Sequence, residues 1–167
     1  MIKINNLKKT YSNGSQALRG IDLNIEKGKF FGLLGPNGAG KTTTIGILTG
    51  LINLTSGSVL VNGLDVIKDY KKTRRMIGLS PQEINLDVFF TIKELLVFQG
   101  GYYGLTLNES KKRVVELLKK LGLEDKINAK ARQLSGGMKR RVMIAKALIH
   151  NPEIIILDEP TAGVDIE

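Results

Sequence analysis

The first third of the chain alternates short apolar runs with turn residues. Ile2 to Leu7 and Ala17 to Ile25 are read as strands, separated by the turn Ser12-Asn13-Gly14-Ser15. Phe30 to Leu34 is an apolar run bounded by glycines, and it predicts a strand buried on both faces. Lys41 to Leu51 is predicted helical, and Ser58 to Val61 returns as a strand before an Asn62-Gly63 turn. Beyond the short strand Ile77 to Leu79 the period changes to that of a helix. Thr91-Ile92-Lys93-Glu94 matches a capping box and opens a helix running to about Tyr103. Asn108 is read as the cap of a second helix, striped by Val114, Leu117, Leu118 and Leu121 and stopped at Gly122. A third helix follows Ser135-Gly136-Gly137, with Val142, Ala145 and Leu148 on its apolar side, and Asn151-Pro152 ends it. Ile154 to Leu157 is predicted as the last buried strand. Strands alternating with helices make this an α/β chain with an antiparallel β-rich start and a helical insertion.

Composition narrows the class. The chain has 167 residues, 42% of them apolar, and no cysteine, which fits one globular domain without a disulfide framework. Runs such as Ile154 to Leu157 fall far short of the ~20 apolar residues that cross a bilayer. The N-terminal residues lack the apolar core of a signal peptide, so a cytoplasmic location is expected. A net charge of +9 suits nucleic acid, anionic lipid or nucleotide and does not choose among them. The basic run Lys68 to Arg75 has no aromatic platform beyond Tyr70, so it reads as a solvated helix face, and no specific nucleic acid partner is expected.

Two motifs carry chemistry. Gly35-Pro36-Asn37-Gly38-Ala39-Gly40-Lys41-Thr42 fits G-x-x-x-x-G-K-[ST], and Thr43 continues it into the helix. Glycines let backbone N–H groups turn toward phosphates, the following helix adds its positive end, Lys41 reaches the β- and γ-phosphates, and Thr42 holds Mg²⁺. Ile154-Ile155-Ile156-Leu157-Asp158-Glu159 delivers two carboxylates at the C-terminal end of a strand, the edge where open α/β sheets bind ligands. Asp158 is the candidate Mg²⁺ ligand, and Glu159 the candidate base that orients a water on the γ-phosphate. Together the motifs identify a P-loop NTPase core with a place for Mg²⁺.

Leu134-Ser135-Gly136-Gly137-Met138 resembles the signature loop of ATP-binding cassette (ABC) ATPases, and the three motifs stand in that family's order. The resemblance covers the chain from its first strand to Asp165. It implies that Ser135, Gly136 and Gly137 close over ATP held by a second subunit, in a homodimer or a pair of ABC subunits. It also implies that Tyr11 stacks on adenine, that Gln82 senses Mg²⁺ and signals to the transport subunit, and that Asp165 belongs to a loop crossing the dimer interface. In the family, a groove of the helical region receives a helix of a membrane-spanning subunit. Phe89, Phe90, Phe98, Tyr102 and Tyr103 surround the matching helix here.

Two departures stand out, Met138 in place of the commoner glutamine and, second, the family's γ-phosphate histidine, while in the interface loop Ala162 replaces a commoner serine. The family's γ-phosphate histidine is expected downstream of Asp165. His150, the only histidine, precedes the Asp158 strand and is read as a helix-end side chain. The resemblance therefore implies one ABC ATP-binding domain over 1–167, C-terminally incomplete, with a β-rich and nucleotide-binding core at about 1–83 and 150–167 and a helical subdomain at about 84–149. The implied activity is ATP hydrolysis powering transport, of the branch exporting drugs, polysaccharides or lipids, at the cytoplasmic face of the cell membrane through a membrane subunit. The competing readings are an ABC ATPase of translation or DNA repair, and a nucleotide-binding fragment that hydrolyses poorly. Only 52 residues separate Gln82 from Ser135, too few for the coiled-coil arm of the DNA-repair group.

Overall fold

A computed structural model describes residues 1–159. It divides into two compact units, Met1–Arg74 and Arg75–Glu167.

The first unit is built on an antiparallel sheet in the order β2-β1-β3-β4, from β1 (Ile2–Thr10), β2 (Gln16–Ile25), β3 (Ser56–Val61) and β4 (Leu64–Asp65). Alternation puts Ile2 and Ile4 on the buried face. Leu7, of opposite parity, joins them because the pairing register shifts between Ile4 and Leu7. The irregularity centres on Asn6, at φ 43°, whose N–H donates to Asp22 Oδ1 at 2.8 Å. Gly57 lies against it: a Cβ there would stand 2.4 Å from the Asn6 carbonyl oxygen. Asn62 and Gly63, at φ 50° and 80°, supply the two left-handed residues of a tight hairpin turn. Helix α1 (Lys41–Leu48) ends at Thr49, before the predicted Leu51, because Gly50 turns left-handed at φ 70°. Helix α2 (Tyr70–Met76) holds most of the basic run, which is solvated except for the buried Thr73.

One predicted element does not form. Residues 30–34 are irregular and exposed, with Phe30 and Leu34 almost fully open to solvent. An apolar run announces burial, but a strand needs a ladder partner, and none pairs with this segment among the described residues.

In the second unit β5 (Ile77–Ser80) pairs in parallel with β6 (Ile154–Leu157). Helices α3 (Ile92–Tyr102), α4 (Leu107–Lys120) and α5 (Gly136–Leu148) complete it, with short 3₁₀ turns at Glu124–Lys126 and Ala131–Gln133. Their core is Ile92, Leu96, Val114, Leu117, Leu118, Leu123, Leu134, Val142, Ala145 and Ile149. Fully burying each Leu or Ile contributes about 1.5–3 kcal/mol. Strand β6, predicted as buried, is only partly so: among the described residues it pairs with β5 alone, and Ile155 and Leu157 are exposed.

Helices α3 and α4 open on capping boxes. Thr91 Oγ1 accepts from Glu94 N–H while the Glu94 carboxylate accepts from Thr91 N–H. The cap of α4 is Thr106, two residues before the predicted Asn108, because Thr106 and Glu109 form the same reciprocal pair. His150, just past α5, does more than end a helix. Its ring stacks on Tyr103 with centroids 3.5 Å apart, and its Nε2 lies 3.2 Å from the Ile77 carbonyl oxygen, so Nε2 carries the proton. Nδ1 is buried without a partner. A proton there would be an unsatisfied buried donor. Burial accordingly holds the His150 pKa below its ordinary 6.5, against a smaller opposing push from the Ile77 carbonyl.

Thr106→Ala should cost about 1 kcal/mol of stability in urea unfolding, while Asn108→Ala should change it by less than about 0.5 kcal/mol. Equal losses would contradict the cap assignment. Because His150 takes up its proton more readily unfolded than folded, its contribution is complete above pH 6.5 and is lost as pH falls through the lowered folded value. Urea midpoints measured from pH 7.5 down to pH 5 should fall less steeply in His150→Gln than in the parent chain.

Candidate functional site

In the first unit the glycine-rich loop runs from Gly35 into α1. Gly38 and Gly40 adopt φ 82° and 88°, the left-handed region that turns successive amides to one side. Gly40 is required twice over, since a Cβ there would lie 2.5 Å from Leu18 Cδ2 and 2.8 Å from the Ala17 carbonyl oxygen of β2. It is also the N-cap of α1 and supplies no capping side chain, so no side-chain acceptor covers the first helical amides. The loop is anchored by Ala39 N–H donating to the Pro36 carbonyl at 3.2 Å. Lys41 Nζ donates to the carbonyls of Gly35 at 2.6 Å and Pro36 at 3.0 Å, which holds a cation at the mouth of the loop. Asn37 and Thr42 are exposed, and the Thr42 hydroxyl has no partner among the described residues.

Tyr11 comes to the same place from the end of β1. Its hydroxyl lies 3.3 Å from Thr43 Oγ1, while Lys9 Nζ sits 5.0 Å from the ring centroid. An exposed aromatic face thus stands beside the glycine loop. A planar base on that ring and phosphates in the loop are chemically compatible.

The second unit assembles the other predicted residues. Glu159, at φ 48°, follows β6 in a left-handed conformation that costs an L-residue about 1–2 kcal/mol. Gln82, just past β5, donates from Nε2 to Glu159 Oε2 at 2.6 Å. Asp158 is tied through its N–H to the Ser80 carbonyl at 3.0 Å, which extends the β5–β6 ladder by one rung. Ser135 caps α5, its Oγ accepting from Met138 N–H at 3.3 Å, and a Cβ on Gly137 would meet open space. The Met138 side chain packs against the helical core, which accounts for an apolar residue at that position. Ala162 and Asp165 lie outside the described residues.

Sequence reading missed Arg140. It is 3% exposed, and its guanidinium donates to four backbone carbonyls: Pro81 at 2.5 Å, Gln82 at 3.1 Å, and Asp158 and Glu159 at 2.6 Å each. Within Lys139-Arg140-Arg141 nothing local marks it. The only available signal was its placement one turn past the Ser135 cap.

A hydroxyl from Thr42 and a carboxylate from Asp158 are hard oxygen donors, the kind that suits Mg²⁺. Among the described residues no group of three or more His, Cys, Asp or Glu side chains gathers as an all-protein metal cage. No helix among them is long and apolar enough to cross a membrane.

Residues 18–162 match the family model described as ABC transporter. The chain is 46% identical over 165 residues to a linearmycin resistance ATP-binding protein of Bacillus subtilis, covering 99% of this chain and 53% of that protein. It is 44% identical over 146 residues to a Nod factor export ATP-binding protein I of Burkholderia thailandensis, covering 87% and 48%. The chain thus spans about half the length of the curated relatives it matches. Among solved structures, a dimeric ATP-binding cassette in a post-hydrolysis state with ADP and Pi superposes with a TM-score of 0.88 at 36% identity, covering 99% of this chain and 76% of that one. The cbiO1 protein of Clostridium perfringens, part of the ABC transporter complex cbiONQ, gives 0.85 at 35% identity, covering 98% and 67%. A family match over most of the chain, on a fold superposing this closely, makes the chain a member of the ABC transporter family with the α/β cassette fold of its ATP-binding part.

Proposed function

We propose that this chain is the ATP-binding part of an export-type ABC transporter, which binds and hydrolyses ATP to drive a membrane-spanning partner. The observation that carries the nucleotide reading is the glycine loop, with left-handed Gly38 and Gly40, the Lys41 ammonium and the Tyr11 ring all on one unit. Export is supported by relatives named for linearmycin resistance and Nod factor export.

Each residue then has a physical task. The amides of 35–42 and Lys41 hold phosphate charge, Tyr11 stacks on the base, and Thr43 supports the Tyr11 hydroxyl. Thr42 of the first unit, and Asp158 and Gln82 of the second, are the residues that would hold Mg²⁺, which would supply positive charge against the phosphates. Glu159, its carboxylate aimed by the Gln82 amide, takes a proton from the attacking water. The Ser135–Gly137 loop serves the nucleotide of a paired ABC subunit, and Asp165 crosses that interface. The proposed organisation is a single ATP-binding domain, with a helical subdomain at about 84–149 inserted into its core. A groove of about 410 Å³ in the second unit, lined by Leu79, Pro81, Leu95, Gln99, Tyr103 and Met143, is proposed for a helix of the membrane partner, which would hold the protein at the cytoplasmic face of the membrane.

Lys41→Ala removes a charged donor to the phosphates, worth about 1.5–3 kcal/mol. MgATP titration of the purified chain should therefore show roughly a 10–100-fold loss of affinity, and unchanged affinity would contradict the phosphate-loop reading. In the assembled transporter, Glu159→Gln should lower ATP turnover by about 10²–10⁴-fold while MgATP still binds, since a shape-matched amide cannot take the proton. Parent-like phosphate release from that variant would remove Glu159 from the base role.

A further inference from the structure

We infer that Arg140 is a positioning residue for ATP turnover, linking the helix that carries the Ser135–Gly137 loop to the Gln82–Glu159 pair. The inference rests on the ATPase reading above and assigns a function to a residue outside its motifs.

The two ends of the Arg140 guanidinium serve different segments. Nη1 holds the turn after β5 through the carbonyls of Pro81 and Gln82. Nη2 holds the end of β6 through the carbonyls of Asp158 and Glu159. The two segments so gripped are those whose side chains meet in the 2.6 Å contact from Gln82 Nε2 to Glu159 Oε2. These four bonds go to backbone carbonyls and not to the two side-chain groups themselves. Arg140 fixes the backbones from which they project, including the left-handed Glu159.

The same side chain is rooted in α5, five residues after the Ser135 cap, or about 7.5 Å along a rigid helix. A displacement of the Ser135 end of α5 therefore carries Arg140 with it, and with Arg140 the spacing of the 81–82 and 158–159 segments. Only a planar fork can hold both at once. A lysine ammonium is a single point that can satisfy one side at a time. The fork is buried, so water does not compete for the carbonyls.

The test uses the intact transporter with Arg140→Gln, Arg140→Lys, Gln82→Ala and the Arg140→Gln/Gln82→Ala double variant. Thermal melts and nucleotide titration establish that each is folded and loaded. Arg140→Gln should lower kcat by about 100-fold, the scale of a misplacement near 1 Å, with KM for ATP unchanged. Arg140→Lys should fall between the parent and Arg140→Gln. If Arg140 acts by placing Gln82 against Glu159, the double variant should turn over no more slowly than the slower single. A merely structural role would lower the melting temperature and the active fraction, but would leave kcat per active site and the additivity unchanged. Parent-like kcat in Arg140→Gln, or losses that multiply in the double variant, would overturn the inference while leaving the ATPase reading intact. A parent complex that binds ATP without hydrolysing it would overturn both.

Discussion

A buried guanidinium cannot remain without partners, because stranding a charge away from water costs several kcal/mol or more. In the second unit that requirement organises the site. Arg140 must find acceptors, and those within reach are the carbonyls at the ends of two parallel strands, where the backbone leaves the ladder and its own partners run out. Strand ends that would otherwise fray are thereby held in one arrangement. The β5–β6 pair is only two strands wide among the described residues, so its C-terminal edge draws order from α5 rather than from a broader sheet. The left-handed turn at Glu159 is tolerable for the same reason: the carbonyl it presents is taken up at once.

The first unit solves a different problem by different means. Its glycine loop is shaped from inside, by positive φ values and by a lysine that folds back on the carbonyls of Gly35 and Pro36. The sheet beneath it is irregular where Asn6 breaks the alternation of β1, and Gly57 makes room for that break. Strain is concentrated in glycines and asparagines, the residues that bear it most cheaply.

How much of this was legible depended on how local its cause was. The Thr91 box and the Asn62-Gly63 turn were readable because each is decided within four residues, whereas the capping role of Ser135 emerges only in the structure. The start of α4 shows the limit of that logic. Thr106 and Asn108 are both good caps, and the glutamate three residues after Thr106 decides between them. The glycine loop and the Asp158-Glu159 strand end were visible as motifs, and so was the family. Strand pairing was not, because it is settled by a partner far away in the chain. Phe30 to Leu34 has the composition of a central strand without the ladder, and β6 has the composition of a doubly covered strand with cover on one side. Arg140 was hidden for a related reason: it stands in a run of three basic residues that the sequence does not distinguish, and its burial is imposed by carbonyls 18 and about 58 positions away.

The packing of Gly40 against β2 has an evolutionary side. The space where a side chain at position 40 would begin is already filled by a methyl group of Leu18 and the carbonyl of Ala17. A glycine whose missing side chain is replaced by another residue's atoms is not an independent position. Mutations that enlarge or reorient residue 18 press on the same loop as mutations at 40, although the motif does not mention residue 18. The unit that keeps the loop open is therefore a pair drawn from two separate stretches of chain, and a change in a hairpin strand can reach chemistry performed elsewhere.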